Sequence, residues 1–109
     1  MYGKHGTDPE LVVNVKVTIS NVGYTSNNAH RTGYFTAHLT FILKNDDTVE
    51  ENAVITGITL TNKTRIKKFT IGKYEVTVDI TAITNDTTAA PQMQIIGATA
   101  KIISIAYIG

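Results

Sequence analysis

Residues 69–80 read FTIGKYEVTVDI, and the reading of this stretch decides the fold class. Gly72-Lys73, set between Ile71 and Tyr74, fits a two-residue hairpin loop with glycine in the first central position, where positive φ is needed. Such a loop places Ile71 across from Tyr74 and Phe69 across from Val76. Side chains alternate along a strand, so Phe69, Ile71, Tyr74, Val76, Val78 and Ile80 share one apolar face, while Glu75 and Asp79 point to water.

The same period of two recurs upstream. Leu11, Val13, Val15, Val17 and Ile19 alternate with Asn14, Lys16, Thr18 and Ser20, and Phe35, Ala37, Leu39, Phe41 and Leu43 alternate with Thr36, His38, Thr40 and Lys44. A long polar loop, residues 21–33, separates these two strands, and Asn45-Asp46-Asp47-Thr48 is a turn signal. A third strand is expected over 53–61. Asn62-Lys63-Thr64 reads as a turn that sets Leu60 opposite Ile66. That register disagrees by one residue with the 72–73 hairpin, which predicts a β-bulge at Lys67-Lys68. A loop over 85–91, a short strand near 92–96 and a final strand at 98–108 complete the chain. The expected fold is all-β: one two-layer β-sandwich over 11–109, immunoglobulin-like or jelly-roll, with seven to eight short, mostly antiparallel strands behind a flexible arm, residues 1–10. A small closed barrel of the oligonucleotide/oligosaccharide-binding type is the alternative.

Composition agrees with this class. The 109 residues include 18 Thr and 14 Ile against four Leu and three Ser, and β-branched side chains pack well on a pleated surface. The net charge of +1 gives the whole chain no strong pull toward nucleic acid or anionic membranes. There is no cysteine, hence no disulfide, thiol nucleophile or thiolate metal site. The first ten residues, MYGKHGTDPE, hold no apolar segment of the signal-peptide kind, and no run is long enough to span a membrane.

Chemistry is sparse. Ser20, Ser26 and Ser104 stand in no nucleophile motif, and His5, His30 and His38 are far apart in sequence. Asp46, Asp47, Glu50 and Glu51 lack the spacing of a calcium loop and read as a solvated turn. No catalytic residue, metal or cofactor is expected. Two binding candidates remain. Tyr24, Asn27, Asn28, His30, Arg31 and Tyr34 supply the aromatic faces and amide donors that a glycan or receptor surface would use. Lys63, Arg65, Lys67, Lys68 and Lys73 form a basic patch able to meet phosphates, although period two turns the neighbouring aromatics Phe69 and Tyr74 inward. The final strand carries bulky apolar groups on both faces, and Ile102, Ile103, Ile105, Tyr107 and Ile108 form a candidate oligomer face.

A short β-domain free of Cys and Trp, with Thr/Asn/Ile-rich strands and the apolar ending AKIISIAYIG, resembles small virion proteins of tailed phages: capsid decoration proteins, tail accessory proteins and fibre-head domains. Bacterial surface-fibre and pilus subunits are similar in style. The phage resemblance implies a non-enzymatic, homo-oligomeric structural protein, located in the virion or in the host cytoplasm during assembly. A glycan- or receptor-binding module using residues 21–34 ranks second, and a nucleic-acid binder using residues 63–73 ranks third.

Overall fold

Six strands follow the alternation: β1 (Val12–Tyr24), β2 (Gly33–Leu43), β3 (Thr48–Ile58), β4 (Thr64–Ile71), β5 (Tyr74–Asp86) and β6 (Met93–Tyr107). The structure, a computed structural model, describes residues 6–25, 32–86 and 93–109. The strands form two three-stranded antiparallel sheets, ordered β1-β2-β3 and β4-β5-β6. The hairpin at Gly72 has the expected register, with Ile71 opposite Tyr74 and Phe69 opposite Val76, and Gly72 at φ 61°.

Each sheet has one apolar face, and the two faces share a single core. The central strands supply most of it. Phe35, Ala37, Leu39, Phe41 and Leu43 of β2 are buried, as are Tyr74, Val76, Val78, Ile80 and Ala82 of β5. Phe41 meets Phe69 of the opposite sheet with ring centroids 5.4 Å apart, a tilted contact of the kind aromatic quadrupoles favour. The molecule measures 53 × 22 × 18 Å. A strand of β6's length spans roughly 50 Å, so strand direction sets the long axis.

Several expectations are corrected. There are six strands among the described residues, not seven or eight: 92–96 and 98–108 merge into β6, because the chain stays extended through Gly97 and a register shift between Ile83 and Thr84 absorbs the extra residue. Both sheets are plain meanders of consecutive strands, without the crossover that immunoglobulin-like and jelly-roll folds require. β1 runs beside β6 but pairs only with β2, so the two sheets do not close into a barrel. Leu60 does not face Ile66, because β3 and β4 lie in different sheets. The chain instead turns tightly at the Thr59–Asn62 bridge. With no β3–β4 register to reconcile, the bulge expected at Lys67-Lys68 is absent and β4 pairs regularly with β5. Bulges fall elsewhere: one between Val12 and Asn14 turns Val13 outward, 54% exposed, while Leu11 and Val12 both enter the core.

Edge strands tolerate charge on the core side where central strands do not. Glu51 of β3 pairs with buried Leu39, and Arg65 and Lys67 of β4 pair with buried Ile80 and Val78, so all three stand on the inward side of their sheets. Inward-pointing charge is a recognised means of keeping an edge from pairing with another chain.

Residues 6–10 lie against one end of the sheets, and residues 1–5 of the expected arm lie outside the described residues. Lys44 N–H donates to the Leu11 carbonyl at 2.9 Å, Asn45 N–H to Pro9 at 2.9 Å, and the Lys44 ammonium to Gly6. The hydroxyl of Tyr74, whose ring is in the core, donates to Asp8 Oδ2 at 2.6 Å. That hydrogen bond, with burial and the negative charge of Asp8 behind it, pushes the Tyr74 phenol up to about 12. The folded protein therefore holds this proton more tightly than the unfolded chain, whose phenol titrates near 10. The stabilisation is present in full below pH 10 and is lost as pH rises toward 12. Denaturation followed against pH should show this alkaline loss, and Tyr74→Phe should be less stable at neutral pH and lack that component. An unchanged alkaline profile in the variant would show that the Tyr74–Asp8 hydrogen bond carries no stability.

Candidate functional site

The basic stretch is taken apart by its own geometry. The Lys63 ammonium donates to Thr84 Oγ1 at 2.7 Å, and Lys73 sits in the hairpin turn, a strand length of roughly 25 Å away. Lys67 stands half-buried on the core side. Lys68, on the opposite face, is exposed and 4.0 Å from Glu75. Arg65 is a structural clamp: Nη2 donates to the carbonyls of Thr56 at 2.9 Å and Gly57 at 2.7 Å, and Nη1 to Thr64 O and Asn62 Oδ1, each at 2.8 Å. Gly57, at φ 70°, bends the backbone so that its carbonyl meets the guanidinium. A phosphate-tracking strip needs cations on one surface. Here Arg65 and Lys67 stand on the inward side of β4, Lys68 on its outer face, and Lys63 and Lys73 at opposite ends of the strand, so the five do not line one surface.

The candidate segment 21–34 divides. Asn27, Asn28, His30 and Arg31 lie outside the described residues. Tyr24 is half-buried against the core, and its hydroxyl accepts the Ile95 N–H at 2.8 Å, tying β1 to β6. Tyr34 is displayed, 39% exposed, on the outer face of the first sheet. The candidate oligomer face divides too: Ile102 and Ile105 are half-buried beside the core, whereas Ile103, Tyr107 and Ile108 are exposed.

One constellation escaped the sequence reading. On the outer face of the first sheet His38 joins three strands: its Nε2 lies 2.5 Å from Ser20 Oγ of β1, and its Nδ1 lies 2.8 Å from Asn52 Oδ1 of β3. With Asn52 Oδ1 as an acceptor, Nδ1 carries the proton and, on a neutral ring, Nε2 accepts from the serine hydroxyl. The order is that of a nucleophile, a base and an orienting group. The setting differs from a hydrolase site. Ser20 occupies a regular ladder position opposite Thr36, where backbone N–H groups lie in the plane of the sheet and not outward toward a bound carbonyl. The row acts as a hydrogen-bonded tie across three strands. Alternation alone put His38 outward, but finding its partners requires the registers of both β1 and β3 against β2.

Among the described residues no group of three or more His, Asp and Glu is placed to hold a metal ion, and no helix is long and apolar enough to cross a membrane. Compared with protein-family models, with curated proteins and with solved structures, the chain has no match in any of the three.

The clamp and the displayed lysine should behave differently. Arg65→Ala should lower stability by about 1–2 kcal/mol, since several backbone and side-chain acceptors lose their donor, whereas Lys68→Ala should cost less than about 0.5 kcal/mol. Chemical denaturation of both variants checks the contrast. Equal costs would reject the clamp.

Proposed function

We propose that the chain is a non-enzymatic structural or assembly protein, built as a two-layer β-sandwich and acting through contacts between its own subunits, as a component of a virion. The observation that carries this reading is that the β6 edge, which exposes large apolar groups, lacks the inward-pointing charge that guards the β3 and β4 edges, although β3 and β4 expose Val54 and Ile66 on their outer faces. The β3 and β4 edges carry inward-pointing Glu51, Arg65 and Lys67. The last strand exposes Ile96, Ile103 and Tyr107, and the chain continues into exposed Ile108. Ile96 and Ile103 fall at the two register shifts of the β5–β6 ladder, where an extra residue on β6 turns its side chain out of the regular pattern. Three large apolar groups along β6, and Ile108 just beyond it, lose unfavourable contact with water when a second subunit covers them. The Thr-rich composition and apolar ending shared in style with small phage virion proteins support the same reading.

Light scattering coupled to size-exclusion chromatography tests it. The chain should run as a discrete oligomer, and Ile103→Lys with Tyr107→Lys should shift it toward monomer while circular dichroism still reports β-structure. A chain that stays strictly monomeric at high concentration would reject self-association.

A further inference from the structure

The outer face of the first sheet carries a second surface, separate from β6, whose chemistry points to a ligand. Tyr34 pairs with Gly23 of β1, and its ring lies over that glycine: a Cβ built there would fall 2.3 Å from Tyr34 Cζ and Oη. Only glycine allows the ring to settle against the β1 backbone, and Tyr34 remains 39% exposed. An aromatic ring whose phenol end rests on the β1 backbone while the residue stays partly in water offers a surface for stacking.

Polar groups continue from it in register. Thr36 and His38 follow Tyr34 on the same face of β2, at the alternate positions of the strand, which places His38 roughly 13 Å from Tyr34. Ser20 lies opposite Thr36, and Asn52 lies opposite His38. The His38 hydrogen bonds hold Ser20 and Asn52 in fixed orientations. With its Oδ1 taken by the imidazole, Asn52 presents its Nδ2 hydrogens as donors; the Ser20 hydroxyl, its proton given to Nε2, can still accept, and the Thr36 hydroxyl accepts or donates. None of these side chains is a carboxylate, a lysine or an arginine. The nearest formal charges on this face, Lys16 and Glu50, flank Thr40 one row further along.

We propose that this strip, Tyr34 with Thr36, Ser20 and Asn52 held by His38, binds a neutral linear oligosaccharide laid along β2. The C–H-rich face of a sugar ring is attracted to the electron-rich face of Tyr34. Its hydroxyls both donate and accept, which suits the alternating amide and hydroxyl groups. The length from Tyr34 to His38 fits a short chain of sugars better than a single ring, and a flat strip suits a polymer where a concave pocket suits a small molecule. The strip's lack of cations argues against a phosphate backbone. The binding does not depend on self-association, so failure of one reading leaves the other standing.

An array of neutral linear oligosaccharides, followed by calorimetric titration of any member retained, tests this. The expected result is binding of at least one member, weakened about tenfold or more by Tyr34→Ala and by Asn52→Ala. Thr99→Ala, on the outer face of the other sheet, and added salt should leave it unchanged. Retention of no member at high protein concentration overturns the proposal. So does affinity that survives Tyr34→Ala in a folded variant, or affinity that falls steeply with salt. Should Tyr34→Ala fail to fold, amide shifts of the unmodified protein on titration with a retained sugar decide: changes at Gly23, Tyr34, Thr36 and Asn52 support the site, and changes confined to other regions overturn it.

Discussion

Each three-stranded meander has one face that water cannot accommodate, and the rest of the structure follows from burying those two faces against each other. β2 and β5, the central strands, carry large apolar groups at successive alternate positions, with Phe35, Leu39 and Phe41 on one side and Tyr74, Val76, Val78 and Ile80 on the other. Each such side chain gains roughly 1.5–3 kcal/mol on leaving water, most of it offset by the entropy of ordering the chain. Edge positions lie under less cover, so a long charged side chain can start on the core side and reach solvent with its head group. That explains why Glu51, Arg65 and Lys67 are acceptable on β3 and β4 and would not be on β2 or β5.

The passage of the chain from one sheet to the other is the second consequence. Between Ile58 and Thr64 the backbone leaves the first sheet, and carbonyls freed from the ladder near its end need donors. Arg65 supplies them at Thr56 and Gly57 while its own strand begins the second sheet. A hairpin at this point would have made one continuous six-stranded sheet with its apolar face in water. The positive φ of Gly57, the short Thr59–Asn62 bridge and the guanidinium clamp together favour the two-layer arrangement. What reads in the sequence as a run of positive charge is in part the hardware of this change of sheet.

The outer face of the first sheet was half legible. Alternation along β2 showed that Thr36, His38 and Thr40 face away from the core, but a turn at 45–48 would have set His38 against Ile55, whereas the ladder pairs Ile42 with Thr48 and so sets His38 against Asn52. Ser20 was out of reach, because the β1–β2 connection is long and fixes no register. Tyr34 was read as part of a loop, whereas it belongs to β2, and its placement over Gly23 depends on a register shift after Ser20. That shift follows Asn21, which takes a positive φ of 54°, a conformation asparagine adopts more readily than most residues but does not announce.

By itself the sequence determined the all-β class, the Gly72-Lys73 hairpin with its register, and the inward set of β2 and β5, because each depends on a local period of two or on a turn of two residues. Only the tertiary structure decided that β3 and β4 separate, that β6 is one long strand, that Val13 turns outward and that Arg65 grips the end of β3. Alternation states which side chains share a face. It does not state which face that will be buried against, and that choice is made by contacts between residues far apart in the chain, where one shifted residue reverses every assignment beyond it.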